Sequence, residues 1–264
     1  MKLLTLNCHS WQEDNQLDKI KYLAKTIVKN NYDVIALQEV SQSIDSKIVF
    51  DNIKEDNYAL VLINEIKNLG GFNYNFSWDF SHIGYGKYEE GLAILSKHEI
   101  INKESFFISK SKDINFWKTR KIVKGTIKYN NENIDIYSCH LGWWNDKEED
   151  FIYQGKNLYK KICESNNLAF VMGDFNNDAL VRNEGYDFIK DMGLYDTYNL
   201  AAKKGSEYTV TEKIDGWEEN KEKMRLDIIF TNKLLDVSRS SVIFNGVNEA
   251  IVSDHYGVEI IVEH

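Results

Sequence analysis

Ala169-Phe170-Val171-Met172 runs directly into Gly173-Asp174-Phe175-Asn176. Four apolar residues end on a glycine, a carboxylate and a carboxamide. A short apolar run with glycine at its end reads as a buried strand rather than a helix. On extended backbone, residues two apart share a face, so Asp174 and Asn176 project the same way. Taken alone, Gly-Asp-x-Asn is also an ordinary turn, because Asp and Asn tolerate turn geometry.

The same punctuation recurs outward from that stretch. Short apolar runs stand at Leu3–Leu6, Val34–Leu37, Leu92–Leu95, Ile122–Ile127, Ile134–Ser138, Leu226–Phe230, Val237–Phe244 and Val258–Val262. Helical spacing appears at Leu17, Ile20, Ala24, Ile27 and Val28, with Asp14 or Asn15 as cap, and at Ile152, Leu158, Tyr159 and Ile162. A third helix is expected around Asp178–Met192, ended by Gly193. Ile122–Lys128 and Ile134–Ser138 flank Asn130-Asn131 as a hairpin would, whereas other strands are separated by helices. This mixture predicts an α/β fold of two packed mixed sheets with helices outside, in a single domain spanning residues 1–264.

Asn7, Gln38-Glu39, Cys139-His140 and Gly173-Asp174 end their strands, Asp227 interrupts one, and Asp254-His255 precede another. Each taken singly is a residue that caps a turn. Together they assemble carboxylates, carboxamides and imidazoles, the groups a hard divalent cation and a phosphate ester require. Glu39 is the strongest candidate ligand, because it ends the apolar run Ile35-Ala36-Leu37 rather than decorating a polar surface.

Composition narrows the classes. The 264 residues carry a formal charge of −9, are 43% apolar and 13% aromatic, and so are too hydrophobic for a disordered chain. The acidic balance disfavours a protein that grips nucleic acid by bulk charge. No apolar run reaches the roughly 18 residues of a membrane span. The opening Met1–Asn7 is too short an apolar stretch for a signal peptide. Three cysteines, Cys8, Cys139 and Cys163, read as reduced thiols of a cytoplasmic protein. With no proline in the chain, its bends rest on Gly, Asn and Asp.

Leu6-Asn7, Gln38-Glu39, His140, Gly173-Asp174-Phe175-Asn176, Arg225-Leu226-Asp227 and Ser253-Asp254-His255 occur in an order that resembles the endonuclease/exonuclease/phosphatase superfamily. The resemblance implies a four-layer α/β sandwich with its site at one edge of the two sheets, and hydrolysis of a phosphate ester by metal-assisted attack of water. It implies Mg²⁺, with Mn²⁺ as a substitute, held by Glu39, with Asn7 as ligand or support and Asp254 as a second metal or histidine-orienting carboxylate. Asp174 would orient or deprotonate the water and Asn176 would donate to the phosphate. His140 and His255 would contact phosphoryl oxygens, each kept charged by a carboxylate: Glu90 for His140, Asp227 for His255. His9 and His82 are placed to touch substrate, and His98 and His264 read as surface residues. Cys8 and Cys139 read as small buried neighbours of the site.

A finer resemblance is carried by Trp11, His82-Ile83-Gly84-Tyr85, Lys118-Thr119-Arg120, Gly142-Trp143-Trp144 and Asp215-Gly216-Trp217-Glu218. These segments are similar to the bacterial maltose 6′-phosphate phosphatases. That implies a small phosphorylated sugar as substrate, with no stable nucleic-acid or membrane partner. Lys118 and Arg120 would be cationic contacts for a small phosphate, Trp143, Trp144 and Trp217 would bracket the disaccharide, and His82 and Tyr85 would complete the wall. Aromatic faces beside polar groups suit sugars, although loop packing uses the same residues. The alternatives are a nuclease or phosphodiesterase, a sphingomyelinase-like lipid phosphodiesterase, and a binding module with a dead site. A pocket closed by the aromatic loops favours the sugar phosphate, and an open groove with lysines favours nucleic acid.

Overall fold

The computed structural model describes residues 1–214, 216, 217, 219 and 222–263. In chain order they form β1 (Lys2–Asn7), α1 (Gln16–Asn30), β2 (Val34–Ser43), β3 (Ile48–Phe50), β4 (Ile53–Lys54), α2 (Tyr58–Asn68), β5 (Asn75–Gly84), β6 (Tyr88–Ser96), β7 (Ile100–Phe107), β8 (Lys121–Tyr129) and β9 (Glu132–His140). There follow α3 (Phe151–Ile162), β10 (Leu168–Asp174), α4 (Gly185–Asp191), β11 (Tyr195–Asp196), α5 (Thr197–Leu200), β12 (Lys203–Lys204), β13 (Asp227–Thr231), β14 (Val237–Ile243) and β15 (Gly257–Val262).

One sheet has the order β12-β14-β15-β1-β2-β6-β5 and the other β11-β13-β10-β9-β8-β7. Both are mixed: β1 pairs parallel to β2 and β9 parallel to β10, whereas β15 and β13 run antiparallel to β1 and β10. The alternation of strand side chains explains the layers. Leu3, Val34 and Ala36 point into the layer between the sheets, where they meet Val123, Ile136, Phe170 and Met172. Their neighbours Leu4, Ile35 and Leu37 point outward and are covered by Leu23 and Ile27 of α1 and Leu62 and Ile66 of α2. On the far side Val171 and Tyr137 pack beneath Phe151 and Leu158 of α3 and Ile189 of α4. Strands buried on both faces read as unbroken apolar runs, as the sequence does. The result is the four-layer α/β/β/α sandwich expected from the resemblance.

Local chemistry sets several boundaries. Asn130 and Asn131 both have positive φ, 47° and 66°, and form the two-residue turn between β8 and β9. Asp150 caps α3 by accepting from the Ile152 and Tyr153 amides. Asn15 does precede α1, but in a left-handed conformation with no side-chain cap bond.

The sequence reading missed α2, β5 and β7. The aromatic segment His82-Ile83-Gly84-Tyr85, expected as a loop, falls mostly in the edge strand β5, which is anchored where Trp78 Nε1 donates to the Val40 carbonyl at 2.8 Å. The third helix is shorter than expected, because the Asn177 and Asp178 side chains serve turns before Gly185. His98 is not a plain surface residue: it packs edge-on against Tyr129. His264 lies outside the described residues. The three cysteines are free, and Cys8 and Cys139 are buried. Among the described residues no helix is long and apolar enough to cross a membrane.

Candidate active site

Strand register brings the polar strand ends together. Asp174 of β10 lies opposite His140 of β9 on one side and Asp227 of β13 on the other. That close approach needs glycine: Gly173 has φ +149°, and a Cβ there would stand 1.9 Å from the Cys139 carbonyl oxygen. On the other sheet Asn7 ends β1 opposite Gln38. Glu39 follows with φ 51°, at a register shift between Leu37 and Val40 where β2 slips against β6. Gln38 Nε2 donates to Ser138 Oγ at 3.0 Å, and Ser138 Oγ donates to the Leu37 carbonyl at 2.9 Å, so the two sheets are tied at this edge.

The Asn7 amide bridges the carboxylates, donating to Glu39 Oε1 at 2.8 Å and to Asp174 Oδ2 at 3.2 Å. Its oxygen accepts from the His9 amide at 3.2 Å, which fixes the orientation. Asn7 therefore ties the two carboxylates together at the strand end. Glu39, His140 and Asp174 bring ligand atoms within 4.8 Å of one another. Burial, reinforced by Glu90 and Asp254, pushes the Glu39 carboxyl up to about 8, and burial pushes Asp174 up to about 6. Two carboxyls held above their usual range, with an imidazole between them, form a donor set that fits a divalent cation, whose charge would restore both to carboxylates.

The two imidazoles are not equivalent. His255 Nδ1 donates to Asp227 Oδ2 at 2.8 Å, while its Nε2 faces Asp174 at 3.8 Å. Burial works against its charge, but Asp227 and Asp174 outweigh it and hold the pKa well above the usual histidine range. His140 faces Asp174 at 3.7 Å and Glu39 at 4.0 Å, yet burial, Arg120, His255 and His82 drive its pKa well below the usual value. The two imidazoles, expected alike to carry charge, differ in their surroundings: those of His255 favour the charged form and those of His140 the neutral one. Glu90, expected to support His140, has its carboxylate 3.4 Å from His82 Nε2.

Asp254 stands with His9 and Glu13 rather than with the trio around Glu39. His9 Nδ1 contacts Glu13 at 2.9 Å and Asp254 at 3.6 Å, and Lys19 binds the other Glu13 oxygen. Burial opposes the His9 charge, but the bond to Glu13 and the charge of Asp254 raise its pKa to about 9. The histidine that Asp254 touches is thus His9. Glu13 was not foreseen, although its place four residues after His9 is the spacing that joins them.

Glu39, His140, Asp174, His255, His9 and Asp254 line a cavity of about 530 Å³. Trp117, Trp143, Tyr85 and Gly216 contribute to its walls, and His82 and Arg120 also face it. Arg120 is only 4% exposed; its Nη1 donates to the Trp117 carbonyl at 2.8 Å, its guanidinium lies 5.8 Å from the Trp143 ring centroid, and its Nε has no partner. Lys118 does not line the cavity. Asp146 and Glu148 hold its ammonium at 2.6 and 2.7 Å, so two carboxylates already take the charge that was assigned to a phosphate. Trp144 points away and packs against Phe151 and Phe188, whereas Trp217 reaches Asn176, its Nε1 donating to Oδ1 at 3.1 Å. The partners of Trp217 in the quoted motif, Asp215 and Glu218, lie outside the described residues. Arg225, beside a catalytic segment in sequence, is engaged elsewhere in a buried bidentate pair with Asp196 at 2.8 Å. Trp117 was missed by sequence reasoning; the only signal was its place one residue before Lys118-Thr119-Arg120.

Comparison with known proteins agrees with this geometry. The profile described as the Endonuclease/Exonuclease/phosphatase family matches residues 4–255. The chain belongs to that family, a family of hydrolases. Among solved structures it is similar to an endonuclease/exonuclease/phosphatase family protein from Leptotrichia buccalis C-1013-b, with 43% identity and a TM-score of 0.94 over 100% of both chains. It shares its fold with a mannosyl-6-phosphatase from Bacteroides thetaiotaomicron VPI-5482 at 18% identity and TM-score 0.73, over 100% of both chains. It also shares it with truncated Caenorhabditis elegans TDP2 at 19% identity and TM-score 0.65, over 100% of this chain and 97% of that one. No curated protein matches the chain.

Proposed function

We propose that this protein is a Mg²⁺-dependent phosphomonoesterase that hydrolyses a phosphorylated sugar of the maltose 6′-phosphate kind in the cytoplasm, without a stable nucleic-acid or membrane partner. The observation that carries this reading is the cavity itself. The catalytic groups open into a chamber walled by Trp117, Trp143 and Tyr85, with a buried arginine facing it and, among the described residues, no lysine in its lining. A nucleic-acid groove needs cations spaced along a backbone. A sugar phosphate needs aromatic faces and a compact charge at one end.

The chemistry is attack of water on phosphorus, with cleavage of the phosphorus–oxygen bond to the sugar. Asp174 is placed to orient the water and take its proton, and the Asn176 amide holds that carboxylate by donating to Oδ1 at 2.8 Å. Asn176 Nδ2 gives one hydrogen to the Leu141 carbonyl at 2.9 Å, which leaves the other for a phosphoryl oxygen. His255, charged and oriented by Asp227, presents Nε2–H to the charge that develops on the phosphoryl group. Arg120 adds a guanidinium that favours the dianion of a monoester over the monoanion of a diester. Glu39, held by the Asn7 amide, would bind Mg²⁺ or Mn²⁺, which would supply Lewis-acid polarisation and neutralise phosphoryl charge.

The test is phosphate release from maltose 6′-phosphate, glucose 6-phosphate, trehalose 6-phosphate, an inositol phosphate and a nucleotide monophosphate, with and without Mg²⁺. A plasmid-nicking lane runs beside it, with Asp174→Ala as control. Metal-dependent turnover of a sugar phosphate, absent in the variant and without nicking, is expected. Nicking without phosphate release overturns the reading in favour of a nuclease.

A further inference from the structure

Asn176 is placed to donate to a phosphoryl oxygen, and a carboxamide can do so only one way round. Its two ends are alike in shape and opposite in role, so the surroundings must decide which of them faces the reaction cavity. Two bonds decide it here. Asn176 Nδ2 donates to the Leu141 carbonyl at 2.9 Å, and Oδ1 accepts from Trp217 Nε1 at 3.1 Å. A rotated amide would set its oxygen against the Leu141 carbonyl and its hydrogens against the indole N–H. An indole nitrogen donates only, so it accepts nothing in exchange. Asn176 is 4% exposed, and a bond lost at such a site is poorly replaced by water.

Trp217 has the setting of a fixed support. It packs on the small cluster of Val210, Ile214, Met224 and Leu226, and its backbone amide donates to the Ile214 carbonyl at 3.0 Å. Leu226 of that cluster accepts from the Phe175 amide at 3.0 Å, and Phe175 adjoins Asn176. The indole and the amide it holds are thus anchored on the same piece of core. Trp217 is not among the described residues that line the reaction cavity. It lines a neighbouring cavity of about 420 Å³, and Asn176 borders both. The indole therefore bears on the reaction centre through Asn176.

We propose that Trp217 is a positioning residue, whose Nε1–H fixes the Asn176 carboxamide with its free Nδ2 hydrogen toward the phosphoryl group. This takes the place of the expectation that Trp217 brackets a disaccharide. The inference rests on the phosphate-ester hydrolysis of the reading above and not on the sugar.

Trp217→Phe keeps an aromatic ring on the cluster and removes the donor. Asn176→Gly removes the amide and suits the left-handed φ of 49° at that position. kcat/KM is measured at saturating Mg²⁺ on maltose 6′-phosphate and on p-nitrophenyl phosphate, which carries no sugar, for each single variant and for the pair combined. Thermal melting accompanies every variant, and Trp217→Tyr takes the place of Trp217→Phe if the latter does not melt cooperatively. Trp217→Phe is expected to lower kcat/KM about tenfold on both esters, the scale of one buried hydrogen bond. It should have no further effect once residue 176 carries no amide. A loss confined to maltose 6′-phosphate makes Trp217 a sugar contact and overturns the proposal. A loss below about twofold overturns it too, as does a loss that persists undiminished in the Asn176→Gly background, which is what a general structural role would give. Calorimetric titration with inorganic phosphate in Mg²⁺ separates these outcomes from failure of the phosphatase reading. Phosphate held about tenfold more weakly by Trp217→Phe, but equally by Asn176→Gly with and without it, upholds the positioning role even if neither ester is hydrolysed. With no turnover, an unchanged phosphate affinity in Trp217→Phe, or no phosphate binding by the wild type, removes it.

Discussion

Arg120→Met is the substitution that most directly separates a monoesterase from other members of this family. The guanidinium is buried beside the Trp143 ring, has one bond to the Trp117 carbonyl and an unpartnered Nε, and faces the reaction cavity. A charge-assisted hydrogen bond to a phosphoryl oxygen is worth about 1.5–3 kcal/mol. At about 1.4 kcal/mol per decade this corresponds to a loss of roughly 10- to 150-fold in kcat/KM. The effect depends on ester class, because Coulomb attraction scales with substrate charge. A sugar monoester is a dianion above its second ionisation and should lose the full amount. A diester such as bis-p-nitrophenyl phosphate is a monoanion and should lose about half of it on a logarithmic scale. Arg120 also helps to drive the His140 pKa down, so its removal should move the His140 ionisation upward in the pH profile. The assay is initial-rate phosphate release on both substrates from pH 5 to 9 at saturating Mg²⁺, with thermal melting to confirm that the variant is folded. Equal losses on monoester and diester, or a monoester rate within about twofold of wild type, would refute the assignment of Arg120.

Asp227→Asn removes the carboxylate on His255 Nδ1 and should lower kcat/KM about 100-fold, moving the alkaline limb to lower pH as His255 loses its charge earlier. A pH–rate profile measures both effects, and an unmoved alkaline limb would exclude His255 as the working imidazolium. The Glu39 carboxyl titrates at about 8 in the fold, against about 4.3 in an unfolded chain, so the folded state holds the proton longer. Metal-free stability should therefore fall as pH rises through that window, and Mg²⁺ should raise the melting temperature more at pH 8 than at pH 5; equal shifts at both would argue against a cation at Glu39. Gly216→Ala places a Cβ 2.5 Å from the Trp143 ring at φ +82°, so it should raise KM for the sugar phosphate several-fold with a smaller change in kcat. Arg225→Met leaves Asp196 buried without its bidentate partner and should cost about 3–5 kcal/mol, or roughly 10 °C in melting temperature by calorimetry.

The reaction centre was legible because each of its members breaks an apolar strand at a definite place. Asp174, His140 and Asp227 then follow one another across the sheet by register, which the fold class implies once the strands are found. Features that depend on contacts between distant segments were not legible. The His140 pKa is lowered by burial and then by Arg120, His255 and His82, which come from separate parts of the chain. Lys118 resembled a phosphate ligand until Asp146 and Glu148, some thirty residues on, were found to hold it. Trp143 and Trp144 are adjacent, but one faces the reaction cavity and the other packs on Phe151 and Phe188. Helix α2 is a different case. Ala59, Leu62, Ile63 and Ile66 have plain helical spacing, so the signal was present and passed over. Strand β7 offered none, because as an edge strand it buries none of its residues fully.

The division between what was legible and what was not follows the division of labour in the molecule. The groups that act on phosphorus are fixed by strand register and by hydrogen bonds between the sheets, so moving one of them requires shifting a buried strand. The walls that face the rest of the substrate are held by lateral packing, such as Trp143 against the Cα of Gly216 and Trp117 through its carbonyl on Arg120. Loop packing of this kind changes at far smaller cost than sheet register. One reaction centre can therefore serve different phosphate esters while the surrounding loops decide which ester reaches it. Arg120 is the point where the two parts meet, because it turns its charge toward the reaction cavity and lies against the Trp143 ring of the aromatic wall.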